Sequence, residues 1–221
     1  MDDPDGLGRP ATSPDQRRYP GLVTFVASAR MRIRPGRPDD SDAVASVCRA
    51  TADGGQPQPQ DHADPDLVAL VYARPYLALE PGTARLLLDE DDVVGYVVGA
   101  ADSSSFYRRW AHEWTPHHLP RPAVTDADLA ELLQDPMSAL PGGVETYPSH
   151  LHINLLPQAR GSGAGRDLLE SFVDGLSAAG SPGVHVRVGI DNAAALRFYE
   201  RAGFAPVGVT AGTTTLGRGL G

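Results

Sequence analysis

The feature that most constrains the fold is a glycine loop between a strand pattern and a helix pattern. Apolar residues alternate over 150–156, which predicts a strand that Pro157 ends, and residues 160–165 read R-G-S-G-A-G. Apolar residues then recur at helical spacing over 166–179. Glycines let the backbone come close to a ligand, and the free N–H groups of a first helical turn bind phosphate without any cation. The loop predicts an anion site, although a tight strand-to-helix turn would also explain the glycines.

The remaining elements predict a mixed α/β domain. Before the glycine loop we expect a strand at 31–34, helices beginning near 41 and 66, a hairpin of strands at 84–88 and 93–100, and a short helix at 126–133. After it we expect a strand at 184–189, a helix at 193–202 and a hairpin over 205–217. Because a strand, a helix and a second strand follow one another in the second half, we expect a parallel strand pair with a helical crossover.

The chain is expected to form one domain over 31–221. Its 221 residues are enough for one compact core. Residues 1–30 are rich in Pro, Gly, Asp and Arg without periodicity, which predicts a disordered leader and leaves Met1 and Met31 as alternative starts. Residues 102–143 read as an insertion, whose aromatic, basic and histidine-rich part either covers a ligand site or packs onto the sheet.

Composition excludes several classes of function. The sequence contains no lysine, so all 19 of its Lys+Arg residues are arginine. Schiff-base chemistry, pyridoxal-phosphate attachment and the Walker-type phosphate loop all need a lysine, and are therefore excluded. The formal charge of -9 makes nucleic acid and anionic membranes unexpected partners. Cys48 is the only cysteine, which favours a reducing, cytoplasmic compartment, and no ligand spacing for a metal is present.

A second motif lies further along the chain. Residues 192–204 read N-A-A-A-L-R-F-Y-E-R-A-G-F, a short helix that Asn192 caps and Gly203 ends. Together with the R-G-x-G-x-G loop, the N-x-x-A-x-x-F-Y-x-x-x-G-F pattern resembles the GNAT superfamily of acetyl-coenzyme A-dependent acetyltransferases. Within it, the segments Y-P-S-H-L-H-I-N-L-L-P and S-P-G-V-H-V-R-V are similar to bacterial relatives of the acetyltransferase-like C-terminal domain of O-GlcNAcases.

The resemblance implies a fold and a cofactor. The GNAT fold is a central mixed, mostly antiparallel sheet with a splayed parallel strand pair and helices on both faces, and the pantetheine of acetyl-coenzyme A lies in the splay. Here the splay is implied between the strands at 150–156 and 184–189, with backbone groups of Leu155 and Leu156 on pantetheine. The residues implied to surround the pyrophosphate are Arg160, Gly161, Ser162, Gly163, Ala164, Gly165 and Arg166.

The same resemblance implies roles for three residues of the second motif. Asn192 matches a position that often contacts pantetheine, and it also reads as a plain helix cap. Tyr199 matches the tyrosine that in many members of the family protonates the departing thiolate of coenzyme A, with Phe198 beside it at the cofactor. Both aromatic residues could instead belong to the core.

The general base is the least determined part of the site. Alternation places His150, His152 and Asn154 on one face of a central strand, which suggests a cavity there. His152 is the first candidate base because an imidazole titrates near neutrality, with His150 and Glu145 behind it. Alternatively, the histidines only shape an acceptor pocket. Asn154 cannot act as a base.

These inferences favour an enzyme that transfers an acetyl group directly from acetyl-coenzyme A to an amine on a small molecule or a peptide. We expect a monomer or a homodimer. The alternative is a module that binds or senses acetyl-coenzyme A without transferring the acetyl group, which Asn154 motivates. A nucleotide binder unrelated to acyl transfer fits less well, because the glycine spacing differs from that of a dinucleotide site.

Overall fold

The computed structural model describes residues 24–25, 31–57, 64–119, 126–142, 145–210 and 212–221. These residues contain one sheet of eight strands. The strands are β1 Thr24–Phe25, β2 Met31–Pro35, β3 Arg85–Asp89, β4 Asp92–Ala100, β5 Ser149–Leu155, β6 Gly183–Gly189, β7 Ala205–Thr210 and β8 Thr213–Gly219. Their order across the sheet is β1-β2-β3-β4-β5-β6-β8-β7, and only β5 and β6 pair in parallel. The predicted mixed, mostly antiparallel sheet is confirmed.

Eight α-helices lie within the same described residues. They are α1 Ser41–Arg49, α2 Leu67–Tyr72, α3 Arg74–Leu79, α4 Ser103–Arg109, α5 Thr115–His118, α6 Ala127–Gln134, α7 Ala164–Ala178 and α8 Ala193–Arg201. A π-helical turn at Trp110–Trp114 joins α4 to α5. No helix in this part of the chain is long and apolar enough to cross a membrane.

Helices cover both faces of the sheet, as predicted. One apolar cluster joins α7 and α8 to the sheet, and the other joins α1–α4 and α6 to the opposite face. We call these the α7 face and the α2 face. Successive residues of β3 show the division, because Leu87 packs on the α7 face while Leu86 and Leu88 pack on the α2 face. A strand buried on both faces must be apolar at successive positions, which the R-L-L-L-D sequence of β3 is.

The parallel strands β5 and β6 separate soon after they meet. Each strand has seven residues, but they pair only at Ser149 with Val184 and at His150 with His185. Strand β5 stays paired with β4 as far as Leu155, and β6 stays paired with β8 along its whole length. The divergence therefore opens the middle of the sheet, and the predicted splay is confirmed.

The expected insertion is more helical than the sequence predicted. Only 126–133 was expected to be helical there, whereas α4, the π-helical turn and α5 make 103–118 helical as well. The Asp102 carboxylate caps α4 by accepting the Ser105 N–H at 2.6 Å. Phe106 and Trp110 lie four residues apart and are buried in the α2 face. The aromatic stretch thus packs onto the sheet as a helix and is not a loop.

Two other segments differ from the prediction, and part of one of them lies outside the described residues. Helix α3 was not predicted; its Pro75 lies in the first turn, where a proline costs no hydrogen bond. Thr24–Phe25, within the expected disordered leader, pairs with β2 and lies at the edge of the sheet. The rest of that leader lies outside the described residues.

Candidate functional site

The glycine loop has a backbone that only glycine adopts readily. Gly161 has a φ of 76° and Gly163, the residue before α7, has a φ of 89°. A Cβ atom at either position would meet nothing within 4 Å, so the need for glycine comes from the backbone conformation and not from crowding. The Gly163 carbonyl already accepts the N–H of Arg166 at 2.9 Å. Helix α7 therefore begins at Ala164, two residues before the predicted start at 166.

Several backbone donors of this loop have no hydrogen-bond acceptor among the described residues. Among the described residues, no acceptor lies on the N–H groups of Gly161, Gly163 and Gly165, while the N–H of Ala164 reaches the Ser162 hydroxyl only at 3.4 Å. These donors lie at the positive end of a helix of 15 residues. A group of unpaired N–H donors at that end is suited to an anion.

The two loop arginines have different environments. Arg160 donates from Nε to the Leu155 carbonyl at 2.9 Å and from Nη2 to the Gly55 carbonyl at 2.7 Å. It therefore ties the 51–57 loop to the end of β5 and also leaves a positive charge at the splay. Arg166 is exposed on the first turn of α7 and forms no ion pair with a described residue. Only Arg166 is thus free to turn toward a bound anion.

The end of β5 supplies backbone groups to the splay, but only Leu155 of the two predicted residues is among them. The N–H of Leu156 donates to the Val94 carbonyl at 2.8 Å, and its own carbonyl accepts the Ala159 N–H at 3.0 Å. The prediction that Leu156 offers free backbone groups is wrong, because both of its backbone groups already form hydrogen bonds within the protein. Antiparallel pairs alternate, so the N–H groups of Leu155 and Ile153 point away from β4 and into the splay. Ile153 was missed by the sequence analysis.

Asn192 caps α8, which is one of its two expected roles, and it also borders a cavity. Its side-chain oxygen accepts the Ala195 N–H at 3.0 Å and so caps α8. The cavity that Asn192 borders is large and opens on the α2 face of the sheet. The cap uses only the oxygen of the amide, which leaves the amide nitrogen available for a ligand.

Tyr199 and Phe198 lie on the α7 face, close to the glycine loop. Phe198 comes within 3.7 Å of where a Gly165 Cβ would be, which places α8 beside the start of α7. The Tyr199 ring packs 5.2 Å from that of Phe198 and 5.3 Å from that of Phe204. Burial raises the pKa of Tyr199 above its ordinary value of 10, so the phenol stays protonated at neutral pH. Tyr199 does not border the large cavity.

A cavity of about 1100 Å³ opens on the α2 face of the splay. Strand β5 contributes His150, His152 and Asn154 to its wall, and β6 contributes His185 and Arg187. Aromatic side chains of α2, α3 and the expected insertion complete the wall with Tyr72, Tyr76, Tyr107 and Trp110. The predicted cavity beside the polar face of β5 is present, and the insertion both packs onto the sheet and borders it.

A chain of hydrogen bonds runs behind the cavity wall. His152 Nε2 lies 3.0 Å from the Tyr76 hydroxyl, which lies 2.9 Å from His150 Nε2. His150 Nδ1 lies 2.7 Å from the Ser103 hydroxyl, which donates to the Pro148 carbonyl at 2.6 Å. Both ring nitrogens of His150 are thus occupied, whereas no described residue bonds Nδ1 of His152.

His150 and His152 are neutral at physiological pH. Burial, followed by the charges of His185 and Arg187, lowers the pKa of His152 to about 4. Burial also lowers the pKa of His150 well below 6.5. A neutral imidazole keeps a lone pair that can accept a proton. Of the predicted bases, His150 has no free nitrogen and Glu145 is exposed away from the cavity, so only His152 fits the role.

Asn154 is fixed in the cavity wall by a neighbour from the 51–57 loop. Its side-chain nitrogen donates to the Thr51 hydroxyl, which in turn donates to the Val47 carbonyl at 2.7 Å. The amide oxygen of Asn154 is therefore left as an acceptor. The exposed carboxylates at the cavity rim are Asp128, Glu131 and Asp191.

The sequence analysis missed Tyr76, Ser103 and Thr51. Tyr72 and Tyr76 lie four residues apart, a spacing that indicates one helical face, but the break at Ala73 between α2 and α3 hides it. No pattern in the sequence marks Ser103 or Thr51, because each acts on a residue that is distant in the chain. No group of three or more His, Cys, Asp or Glu side chains in the described ranges could hold a metal ion.

Comparison with a protein family agrees with this geometry. Residues 53–204 match the model of the Acetyltransferase (GNAT) family. The crystal structure of SsHAT has a TM-score of 0.81 and 36% sequence identity, and the match covers 86% of this chain and 98% of that one. The structure of yncA from Salmonella typhimurium, solved with acetyl-CoA, has the same fold with a TM-score of 0.51 at 18% identity, covering 87% of this chain and 95% of that one.

A curated relative gives a second, more distant comparison. Protein O-GlcNAcase of Rattus norvegicus is 25% identical over 180 residues. The match takes in 77% of this chain but only 20% of that protein. The chain therefore corresponds to one part of a much longer relative.

Proposed function

Because the chain belongs to the GNAT acetyltransferase family, we propose that it is an acetyl-coenzyme A-dependent N-acetyltransferase that transfers the acetyl group directly to an amine. The observation that carries this proposal is the splay between β5 and β6. It lies between the unpaired N–H donors of the glycine loop on one side and the cavity with neutral His152 on the other. The two substrates would approach each other through this gap.

The glycine loop fits the anionic part of the cofactor. The N–H groups of Gly161, Gly163 and Gly165 have no acceptor within the described residues. The positive φ angles at 161 and 163 favour glycine, so these two residues have no side chain that could cover the donors. Exposed Arg166 adds a cation. Leu155 and Ile153 would hold the pantetheine through the N–H groups that point into the splay, and Asn192, whose amide nitrogen the helix cap leaves available, borders the cavity beside the splay. Acetyl-coenzyme A supplies the activated acyl group as a thioester.

His152 and Tyr199 would move the two protons of the reaction. As the amine nitrogen forms its bond to the acetyl carbon, its N–H becomes acidic and His152 Nδ1 accepts the proton. The carbon–sulfur bond breaks, and the Tyr199 hydroxyl donates a proton to the sulfur. Because the pKa of His152 is only about 4, it cannot deprotonate an ammonium ion in advance, so the amine must bind in its neutral form.

Cys48 supports direct transfer and argues against an acyl-cysteine intermediate. It borders the cavity, but burial raises the pKa of its thiol. A thiol rather than a thiolate is a poor nucleophile. A buried free cysteine also fits the expected reducing, cytoplasmic compartment.

The acceptor would be a small-molecule or peptide amine. The cavity rim carries both signs of charge, with Arg187 opposite the carboxylates of Asp128, Glu131 and Asp191. Acceptors with a second cationic or anionic group are therefore both worth testing. Because the net charge is -9, we do not propose nucleic acid or anionic membranes as partners. We propose that the protein is a monomer or a homodimer.

A binding or sensing module is the second candidate. Asn154, rather than a carboxylate, faces the cavity two residues from His152. The low pKa of His152 would also limit its strength as a base. Such a module would bind acetyl-coenzyme A without consuming it.

Calorimetric titration with acetyl-coenzyme A, with ATP and NAD as controls, tests the cofactor half of the proposal. We expect selective binding of acetyl-coenzyme A at micromolar concentrations. Release of free thiol is then followed with a polyamine, a lysine peptide, an amino sugar and an amino acid. Thiol release that depends on one of these acceptors supports the enzyme, and binding without release from any of them supports the module. Preference for ATP or NAD would contradict both candidates.

Tyr199→Phe should slow transfer by roughly tenfold to 100-fold while leaving affinity for acetyl-coenzyme A unchanged, because it removes the proton donor but keeps the ring. The measurement is kcat with the acceptor found above, together with calorimetric affinity. An acetyl thioester with a more acidic leaving thiol is the matched control, since it needs no proton on sulfur and should react equally fast with both proteins. If coenzyme A transfer is as fast in the variant, Tyr199 is only a core residue.

A further inference from the structure

The hydrogen-bond chain behind the cavity wall has a direction, and a backbone carbonyl sets it. The Ser103 hydroxyl lies 2.6 Å from the Pro148 carbonyl oxygen. Two oxygens at this distance need a proton between them, and a carbonyl has none to give. The single hydroxyl proton of Ser103 is therefore committed to Pro148. The peptide N–H of Ser103 donates to the same carbonyl at 2.8 Å, which holds the pair in place.

The next member of the chain must then donate to Ser103. His150 Nδ1 lies 2.7 Å from the hydroxyl oxygen, so this nitrogen carries the proton. His150 is 3% exposed and stays neutral, which means that it has one ring proton only. Its Nε2 is consequently an acceptor. The Tyr76 hydroxyl, 2.9 Å away, donates to it.

The last member is His152. Tyr76 is fully buried and has one hydroxyl proton, which it gives to His150. The phenolic oxygen can therefore only accept from His152 Nε2, 3.0 Å away. His152 carries its proton on Nε2 and keeps the lone pair on Nδ1.

We infer that Ser103, His150 and Tyr76 are positioning residues that hold His152 as the Nε2–H tautomer, with the Nδ1 lone pair left as the proton acceptor. The role of that lone pair as the acceptor of the amine proton rests on the proposed function, whereas the tautomer itself does not. When Nδ1 accepts a proton, the Nε2–H bond to Tyr76 is kept, so no neighbouring side chain has to reorient. The rings of Tyr72 and Tyr76, with centroids 5.2 and 5.3 Å from that of His152, fix the plane of the imidazole.

Nitrogen NMR of the full chain, labelled at histidine and measured without substrates, tests the tautomer. Protonated and unprotonated ring nitrogens give separate signals, and His152→Gln assigns the residue. We expect the proton of His152 on Nε2. In Ser103→Ala the anchor is lost, so the chain can reverse and the proton should move in part to Nδ1. Ser105→Ala is the matched control, because it makes the same change on an exposed position of the same helix and should leave the tautomer unchanged.

Tyr76→Phe provides a second variant, since it removes the link between the two histidines without altering the ring. It should also mix the tautomers of His152. A proton on Nδ1 in the parent protein would overturn the inference, as would an unchanged Nε2–H tautomer in both variants. Because no substrate is present, these outcomes are independent of whether the protein transfers acetyl groups.

Turnover supplies the functional readout. With an acceptor that supports thiol release, Ser103→Ala should lower kcat on the order of tenfold, as a fraction of the protein holds the unproductive tautomer. The KM for acetyl-coenzyme A should not change, because the glycine loop is untouched. Full kcat in Ser103→Ala despite a shifted tautomer would overturn the positioning role. Absence of thiol release in the parent protein would instead count against the proposed function.

Discussion

Gly163→Asp should abolish binding of acetyl-coenzyme A, lowering the affinity at least about 100-fold, equivalent to about 2.7 kcal/mol. The carboxylate would lie at the N-terminus of α7, where the N–H donors of the glycine loop are free for an anion. It would occupy these donors itself and repel the pyrophosphate. The φ of 89° adds backbone strain for any side chain. Calorimetric titration measures the loss.

Two further variants separate charge from strain. Gly180→Asp makes the same change beyond the other end of α7, at a φ of 85° and with nothing within 4 Å of the new Cβ atom, and should keep full affinity. Gly163→Ala introduces the strain without the charge and should weaken binding much less than the aspartate does. Unchanged affinity in Gly163→Asp would mean that the loop is only a tight turn between β5 and α7.

His152→Gln should lower kcat by about 100-fold to 10,000-fold, the usual contribution of a general base. The glutamine amide can still donate to Tyr76, as His152 Nε2 does, but it has no basic nitrogen in place of Nδ1. Affinity for acetyl-coenzyme A should persist, because the residue lies on the α2 face of the sheet. Steady-state kinetics with a productive acceptor gives kcat.

His117→Gln is the control for this variant, because His117 is an exposed histidine that does not border the cavity. It should have the turnover of the parent protein. If His152→Gln also turns over normally, the histidines only shape the acceptor pocket. The amine would then lose its proton to water.

The pH dependence of the proposed transfer reaction follows from the same residue. Since the pKa of His152 is lowered to about 4, the imidazole is already neutral across the working range. The logarithm of kcat/KM should rise with a slope of one from about pH 5 to about pH 9 as an amine with an ordinary pKa loses its proton. If the pKa of His152 had its ordinary value near 6.5, the profile of log kcat/KM would show a second break near that pH. Below the break its slope would be about two.

Local signals made the cofactor side of the site predictable. The alternation of β5, the glycines of the loop and the apolar spacing of α7 are consecutive in the chain, so they predicted the strand, the turn and the helix together. The error at Leu156 arose because the N–H of this residue bonds Val94, which lies on a strand more than fifty residues away. Ile153 was missed for the same reason.

The acceptor side was predictable only in part. Alternation along β5 placed His150, His152 and Asn154 together, and a cavity is present beside them. Which histidine has a free nitrogen depends on Ser103 and Tyr76, which come from helices distant in sequence. Helix α3 was not predicted, and the helices over 103–118 were missed because their polar and aromatic composition is typical of a loop.

The sequence by itself predicted the mixed sheet and the glycine turn before α7, because their patterns lie close together in the chain, and the family resemblance implied the splayed strand pair. Only the tertiary structure decided which of the polar residues on β5 can accept a proton. Burial lowers the pKa of His150 and His152, and a carbonyl at Pro148 sets the direction of every hydrogen bond as far as His152. Burial and proton direction are properties of the packed neighbours, and the hydrogen-bond partners come from three separate segments of the chain, at Tyr76, at Ser103 and at 148–152.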